Sequence, residues 1–340
     1  MKKLVSCVLI ITLLFVSVNK GELVKATEIS TFVYEDELTG DSFTFRIESD
    51  NMLSLISYMG NSESIELKDK YNDMVLKNIE KAVFSKKSLK EIVIPDSVIS
   101  IGVDVFMDCS LLSNVKLSSN LTSIGAYAFK GCTSLKEITI PKTVTQMGSR
   151  SYPVFEKTGI EKIVFEEGTT SVPAYACMNA TNLTKVEISD GVESIGEGTF
   201  NGCISLKEIT IPKTVTKMGS RSFPVFEKTG IEKVVFEEGI TSVPAYACMN
   251  AVNLTEVEIP DSVEDIGTSA FDGCKNISEI NLSNSLISMG DHVFKGCTAL
   301  KEITIPQKVT KMGSTSFPVF EKTGIEKVVF EEGITSVPAY

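Results

Sequence analysis

Residues 183–205 read LTKVEISDGVESIGEGTFNGCIS, and units with the same pattern follow one another along most of the chain. Each unit opens with Leu or Ile, continues with alternating apolar and polar residues, and closes near a Gly-Cys pair or its equivalent. Successive units start 23 or 25 residues apart. The eleven starts are Leu89, Leu112, Leu135, Ile160, Leu183, Leu206, Ile231, Leu254, Ile277, Leu300 and Ile325. A repeat of this length is typical of a solenoid, in which structural units stack along one axis.

Each unit begins with a short strand. In Leu135-Lys-Glu-Ile-Thr-Ile the isoleucines alternate with polar residues, so Ile138 and Ile140 face one side while Glu137 and Thr139 face the other. A proline often follows, and because it lacks an N–H it marks the end of the strand. These prolines are Pro95, Pro141, Pro212, Pro260 and Pro306. A second short extended piece, a glycine corner and one closing turn complete the unit.

A single unit is too small to fold alone. About six inward apolar side chains would stabilise it by about 1.5–3 kcal/mol each, whereas ordering the backbone costs about 1–2 kcal/mol for every residue. Stacking is therefore required, and it also pairs the strand N–H and C=O groups with the coils above and below. The sequence predicts parallel short strands stacked coil on coil, with short helical turns on the far side.

The first residues favour export. Residues 1–26 combine a basic start at Lys2 and Lys3, an apolar run from Leu4 to Val18 and a small-residue exit ending at Ala26. This pattern predicts a signal peptide, because the apolar run is shorter than the roughly 20 residues that span a bilayer; a short anchoring helix is the alternative. We expect a secreted or cell-surface protein with a hairpin-like N-terminal cap over 27–66 and repeats over 67–340.

Composition excludes several classes of function. The chain has 340 residues, a formal net charge of −11, one His and no Trp. An acidic chain is a poor partner for nucleic acid, whose phosphates need clustered Lys and Arg. One histidine nearly excludes His-based metal sites and catalysis by Ser-His or Cys-His pairs. We therefore expect no enzyme, no metal and no cofactor, with His292 on the convex surface.

The cysteines leave two interpretations open. Seven follow the expected leader, and five of them share one column of the repeat: Cys109, Cys132, Cys203, Cys274 and Cys297. They are either buried free thiols that act as small apolar side chains, or disulfides between neighbouring coils. Only Cys109 with Cys132 and Cys274 with Cys297 would be close enough to pair. A metal site would need four converging ligands and is disfavoured.

The outward face of the strands is the candidate partner-binding surface. Its residues are Glu137, Thr139, Lys162, Val164, Glu166, Lys185, Glu187, Glu208, Thr210, Lys233, Val235 and Glu237. Stacking should place Glu137 beside Lys162 and Glu208 beside Lys233. The pattern fits either cross-strand charge pairing or a rigid, mixed-charge surface for a protein partner. The recurring pairs such as Glu166-Glu167 favour a solvated face over acid–base chemistry.

The unit L-x-x-I-x-I-P…V-x-x-I-G…A-F-x-G-C resembles the BspA-like (Treponema pallidum type) leucine-rich repeats over about residues 65–340. The resemblance implies a leucine-rich-repeat solenoid in a surface-exposed or secreted protein, and several members are implicated in adhesion to host matrix proteins or other cells. The chain departs from that family in its 25-residue units, whose two extra residues should bulge at Arg150, Arg221 and Thr315.

Together these features predict an exported or cell-surface, non-enzymatic binding protein or adhesin with a protein or cell-surface ligand. The alternative is a passive structural spacer that presents a C-terminal domain. Residues 135–182 recur almost unchanged from 206, and again from 300 until Tyr340. In both earlier copies Ala-Cys-Met-Asn-Ala follows that tyrosine, so we expect the last repeat to be cut in its middle.

Overall fold

The computed structural model describes residues 11–13, 18–19, 22–23, 29–48 and 51–332. Within the expected signal peptide it assigns only the short strands Ile11–Leu13, Val18–Asn19 and Glu22–Leu23. The rest of that segment and residues 333–340 lie outside the described part. Export and the interrupted last repeat therefore remain predictions.

An antiparallel meander opens the described domain. Its strands are Ile29–Glu35, Ser42–Ile47 and Met52–Met59. The last of them pairs in parallel with Met74–Ile79, which also pairs with the short strand Lys70–Tyr71. Because Met74–Ile79 continues into the second sheet of the solenoid, the meander covers the first coil and is continuous with the stack.

Most coils contribute two strands, one to each of two parallel stacks. The first strands are Ser64–Glu66, Glu91–Val93, Asn114–Lys116, Glu137–Ile140, Lys162–Phe165, Lys185–Glu187, Glu208–Ile211, Lys233–Phe236, Glu256–Glu258, Glu302–Ile305 and Lys327–Phe330. The second strands are Ser100–Ile101, Ser123–Ile124, Gln146–Met147, Ser171–Val172, Ser194–Ile195, Lys217–Met218, Ser242–Val243, Asp265–Ile266, Ser288–Met289 and Lys311–Met312. The stacked parallel strands predicted from the repeat are confirmed.

A column of phenylalanines fills the centre of the coils. The rings of Phe84, Phe106, Phe129 and Phe155 stack with centroids 5.5, 5.2 and 5.9 Å apart. All four are fully buried. The strand isoleucines, such as Ile138 at 2% exposure, close the core from the side of the sheet. Each coil therefore depends on its two neighbours for burial, as the small apolar content of one unit requires.

The far side of the solenoid consists of turns. The backbone N–H of Phe106 donates to the carbonyl of Ala128 in the next coil at 2.8 Å, and Cys132 N donates to Phe129 O at 3.1 Å within one turn. The expected helical turns are β-turns here, and no helix is assigned in the part of the chain that the structure describes. Tyr127 and Gly131 both have a positive φ, at 55° and 75°, and left-handed residues at this spacing interrupt a right-handed helix.

The single histidine is not on the open surface that the sequence suggested. His292 is 8% exposed; its Nε2 lies 2.9 Å from Glu321 Oε2 and its ring packs edge-on against Phe317 at 5.2 Å. Both partners belong to the following 25-residue coil, whose extra residues fold back over the turn. The inserted residues themselves are exposed as expected at Arg150, Arg221 and Thr315.

Candidate functional site

The first strands align the predicted surface residues in register. Glu137 is paired with Lys162, and Lys162 with Lys185. Two residues further along the strands, on the same face, Thr139 is paired with Val164 and Val164 with Glu187. The same arrangement recurs 71 residues later in the strands Glu208–Ile211, Lys233–Phe236 and Glu256–Glu258. The twelve predicted residues therefore belong to two similar blocks of coils.

Ion pairs cross the first block. Lys162 Nζ lies 2.8 Å from Glu137 Oε1 and 3.3 Å from Glu187 Oε1, and Lys185 Nζ lies 2.7 Å from the same Glu187 oxygen. The hydrogen bond from Lys185 is the largest influence that lowers the pKa of Glu187, and the bond to Glu137 raises the pKa of Lys162. Solvent-exposed pairs of this kind add little stability, but they fix the positions of long side chains.

The second block pairs its charges differently. Lys233 is directly opposite Glu208 in the ladder, yet its ammonium binds Glu256, at 2.7 Å, and Glu258. These two hydrogen bonds raise the pKa of Lys233. The expected neighbourhood of Glu208 and Lys233 is present, but Glu208 has no ion pair among the described residues. The difference arises because Glu256 stands where the first block has a lysine, and two carboxylates on one side attract the ammonium.

The repeated glutamates hold turns in place. Glu166 Oε2 accepts a hydrogen bond from the backbone N–H of Lys142 at 3.0 Å, and Glu237 Oε2 accepts one from Lys213 at 2.9 Å. In both cases the amide belongs to the previous coil, directly after its proline. Glu166 and Glu237 were predicted as partner-binding residues, and these bonds give them a structural role in addition.

We expect Glu166→Ala to lower the free energy of unfolding by about 1 kcal/mol, because the Lys142 amide would lose its acceptor. Urea denaturation followed by circular dichroism measures this change. The neighbouring Glu167 is exposed, and Glu167→Ala is the matched control with little expected effect. Equal stability of the two variants would contradict the turn-holding role.

The stack of first strands is interrupted, and grooves lie at the interruptions. Asn114–Lys116 does not pair with Glu137–Ile140, nor does Lys185–Glu187 pair with Glu208–Ile211. The grooves at these two positions have volumes of about 780 and 430 Å³. A third groove of about 620 Å³ precedes Glu302–Ile305, and one of about 580 Å³ lies beside the paired strands Ser64–Glu66 and Glu91–Val93. Predicted surface residues line the first two: Glu137, Thr139 and Glu166 in one, and Lys185, Glu187, Glu208, Thr210 and Glu237 in the other.

The sequence analysis missed these grooves, although a signal for them exists. The coil before each of these three grooves carries a serine, at Ser118, Ser189 and Ser283, where five other coils carry the strand-ending proline and three carry glutamate. Each serine hydroxyl donates to a carbonyl of the coil before it, as Ser118 Oγ does to Val98 O at 2.6 Å. The serine therefore binds its coil to the preceding neighbour, and the groove opens towards the following one.

The seven cysteines that the structure describes are free and buried. Those of the shared column donate their thiol hydrogens to a neighbouring coil, as Cys109 Sγ does to Phe84 O at 2.9 Å and Cys203 Sγ to Cys177 O at 3.1 Å. Burial raises the pKa of the Cys109 thiol to about 11 and that of Cys203 to about 12. Of the two interpretations, the structure supports the buried free thiol. No group of side chains in the described ranges could hold a metal ion.

We expect these seven thiols to resist a thiol reagent in native buffer near pH 8, because the raised pKa and burial suppress the reactive thiolate. All seven should react in concentrated guanidinium chloride without reductant. Ile204 is 58% exposed, so Ile204→Cys should react at once and serves as the accessible control. A denatured count below seven would show that bridges form.

A family profile described as the BspA type Leucine rich repeat region matches six copies, over residues 57–180, 170–224 and 224–340. No curated relative matches the chain.

Within the described residues there is no helix with the length and hydropathy that a bilayer crossing requires.

Solved structures of similar fold come from several bacteria. A leucine rich cell surface protein from Faecalibacterium prausnitzii is 23% identical, with 89% of this chain and 95% of that chain covered and a TM-score of 0.44. A leucine-rich repeat protein from Bacteroides ovatus is 22% identical, with 84% and 98% covered and a TM-score of 0.43. The T. pallidum Leucine Rich Repeat protein is 19% identical, with 69% and 87% covered and a TM-score of 0.34.

Proposed function

Because the chain belongs to the family of BspA-type leucine-rich repeat proteins, we propose that it is an exported or cell-surface, non-enzymatic binding protein. Its strand face would contact a protein or cell-surface ligand, as an adhesin does. The observation that carries this proposal is the register of the first strands, which presents charged and polar side chains of successive coils at fixed spacing. A surface that is already ordered loses little entropy when it binds.

The surroundings of the reactive side chains support a non-enzymatic role. His292 is held between Glu321 and Phe317. The carboxylates of Glu166 and Glu237 are engaged with backbone amides, and the described thiols are buried. General acid–base and nucleophilic catalysis need such groups within reach of a substrate.

Binding of the purified chain to immobilised extracellular matrix proteins and to intact cells tests the proposal. We expect saturable binding, changed about threefold or more when Lys162→Gln and Lys233→Gln are combined, because rim charges contribute to partner selection. Lys217 and Lys311 lie exposed on the second strands, so Lys217→Gln with Lys311→Gln is the matched control. Absence of saturable binding would favour the passive spacer.

A further inference from the structure

The strand Glu208–Ile211 has one free edge. It pairs with Lys233–Phe236 on one side. On its other side no backbone pairing joins it to Lys185–Glu187, although Cα atoms of the two strands lie within 8 Å and the 430 Å³ groove opens between them. An unpaired strand edge is a template on which another extended chain can add, and here the two coils must move apart to the roughly 9.6 Å that an added strand needs. One wall of the groove is therefore a strand edge whose backbone N–H and C=O groups have no ladder partner among the described residues.

The backbone groups that face this groove follow from the ladder. Lys207 O accepts from Lys233 N at 3.0 Å and Ile211 O accepts from Glu237 N at 3.0 Å, so these residues direct their groups to the next coil. In a parallel ladder alternate residues point to opposite neighbours. Glu208 and Thr210 consequently direct their N–H and C=O groups towards the groove, where an incoming strand would find two donors and two acceptors.

The opposite wall is partly apolar. Val186 and Ile188 line the groove and are only half-buried, although they belong to core-facing columns of the repeat. The matching Ile163 and Phe165 of the previous coil are 0% and 2% exposed. The interruption of the sheet thus exposes apolar surface that side chains of a bound segment could cover.

The charge of the groove selects the occupant. Lys185 is neutralised by Glu187 at 2.7 Å, which leaves Asp190, Glu208 and Glu237 on the walls. Asp190 and Glu208 have no ion pair in the ranges that the structure describes. The complementary partner is basic, and a second copy of this chain is disfavoured because its own net charge is −11.

We propose that this groove binds an extended polypeptide segment bearing Lys or Arg, which adds as a strand to the free edge of Glu208–Ile211. Grooves also precede the strands Glu137–Ile140 and Glu302–Ile305. The inference rests on the proposed function, since it names the class of partner that the strand face would take.

Hydrogen exchange of segment 206–212, measured by mass spectrometry, tests this inference. The probe is an alternating Lys-Val octapeptide, which places its charges on one face and its apolar side chains on the other. At saturation it should slow exchange of the Glu208 and Thr210 amides about tenfold, because strand pairing protects them. A Glu-Val octapeptide should not, and neither should a Lys-Val peptide N-methylated at alternate residues.

A matched pair of variants separates the groove from general charge. Asp190→Asn with Glu208→Gln should raise the peptide concentration needed for half-maximal protection about fivefold. Glu193 and Glu264 precede second strands and are exposed, so Glu193→Gln with Glu264→Gln removes the same charge elsewhere and should change it less than about twofold.

Several results would overturn the inference: no protection by the Lys-Val probe, equal protection by either comparison peptide, or equal effects of the two double variants. Protection that grows with protein concentration alone would instead assign the groove to a second copy of the chain. Saturable binding to matrix or cells without slower hydrogen exchange in 206–212 would support the proposed function and contradict only the inference about the groove.

Discussion

Phe129→Ala is expected to lower the free energy of unfolding by about 3–5 kcal/mol, the usual cost of removing a buried aromatic ring. Phe129 is 0% exposed, and its ring stacks between Phe106 and Phe155 at 5.2 and 5.9 Å. The alanine would leave a cavity on the solenoid axis and weaken the contact between the coils on either side. Because each coil touches only its neighbours, we also expect unfolding to separate into two steps.

Urea denaturation followed by far-ultraviolet circular dichroism measures both effects. Phe317 is 49% exposed on the far side, so Phe317→Ala removes the same side chain without a buried cavity and should cost much less. A Phe129→Ala protein with the midpoint of the unchanged chain would refute the idea that the phenylalanine column joins the coils.

Gly125→Ala is expected to destabilise the solenoid by about 3 kcal/mol or more. A Cβ at this corner would lie 2.4 Å from the carbonyl carbon of Gly102 in the previous coil. The obstacle is backbone, so no rotamer change relieves it, and the two coils must separate. Separation would break the hydrogen bond from Gly125 N to Ile101 O, which is 2.8 Å long.

Gly191→Ala provides the comparison for this prediction. Gly191 has a φ of 94°, but no atom lies within 4 Å of an added Cβ. Its substitution should therefore cost only the backbone strain of a left-handed residue, about 1–2 kcal/mol. Thermal unfolding of both variants gives the ranking, and a Gly125→Ala protein as stable as Gly191→Ala would refute close packing at the corner.

The repeat made the fold predictable to the level of individual side chains. The alternation in Leu135–Ile140 identified the inward Ile138 and the outward Glu137, because the period of a strand is two. The turns were harder to predict from the sequence, because Tyr127 has a positive φ, which tyrosine rarely adopts. Their helical description was wrong for that reason.

The sequence could not predict much of the candidate site, because several side chains have two or more possible partners nearby. Lys233 has Glu208, Glu256 and Glu258 within its neighbourhood, and only the geometry decides that it binds the last two. The packing of Phe317 against His292 comes from the lengthened segment of a 25-residue coil, whose path the sequence does not reveal. The free strand edges likewise follow the coils in which serine replaces the strand-ending proline, and the pattern alone does not reveal that pairing stops there.

Near-copies of residues 135–182 begin at 206 and 300, and each of the three copies starts directly after one of the grooves. Since adjacent coils are separated by about 4.8 Å, steps of three and four coils place successive grooves about 14 and 19 Å apart along the axis. Lengthening the stack by such copies thus adds further grooves at the same position within the coil, each with its own lining. A ligand with several suitably spaced segments would engage them together, and its avidity would rise with the number of blocks through effective concentration.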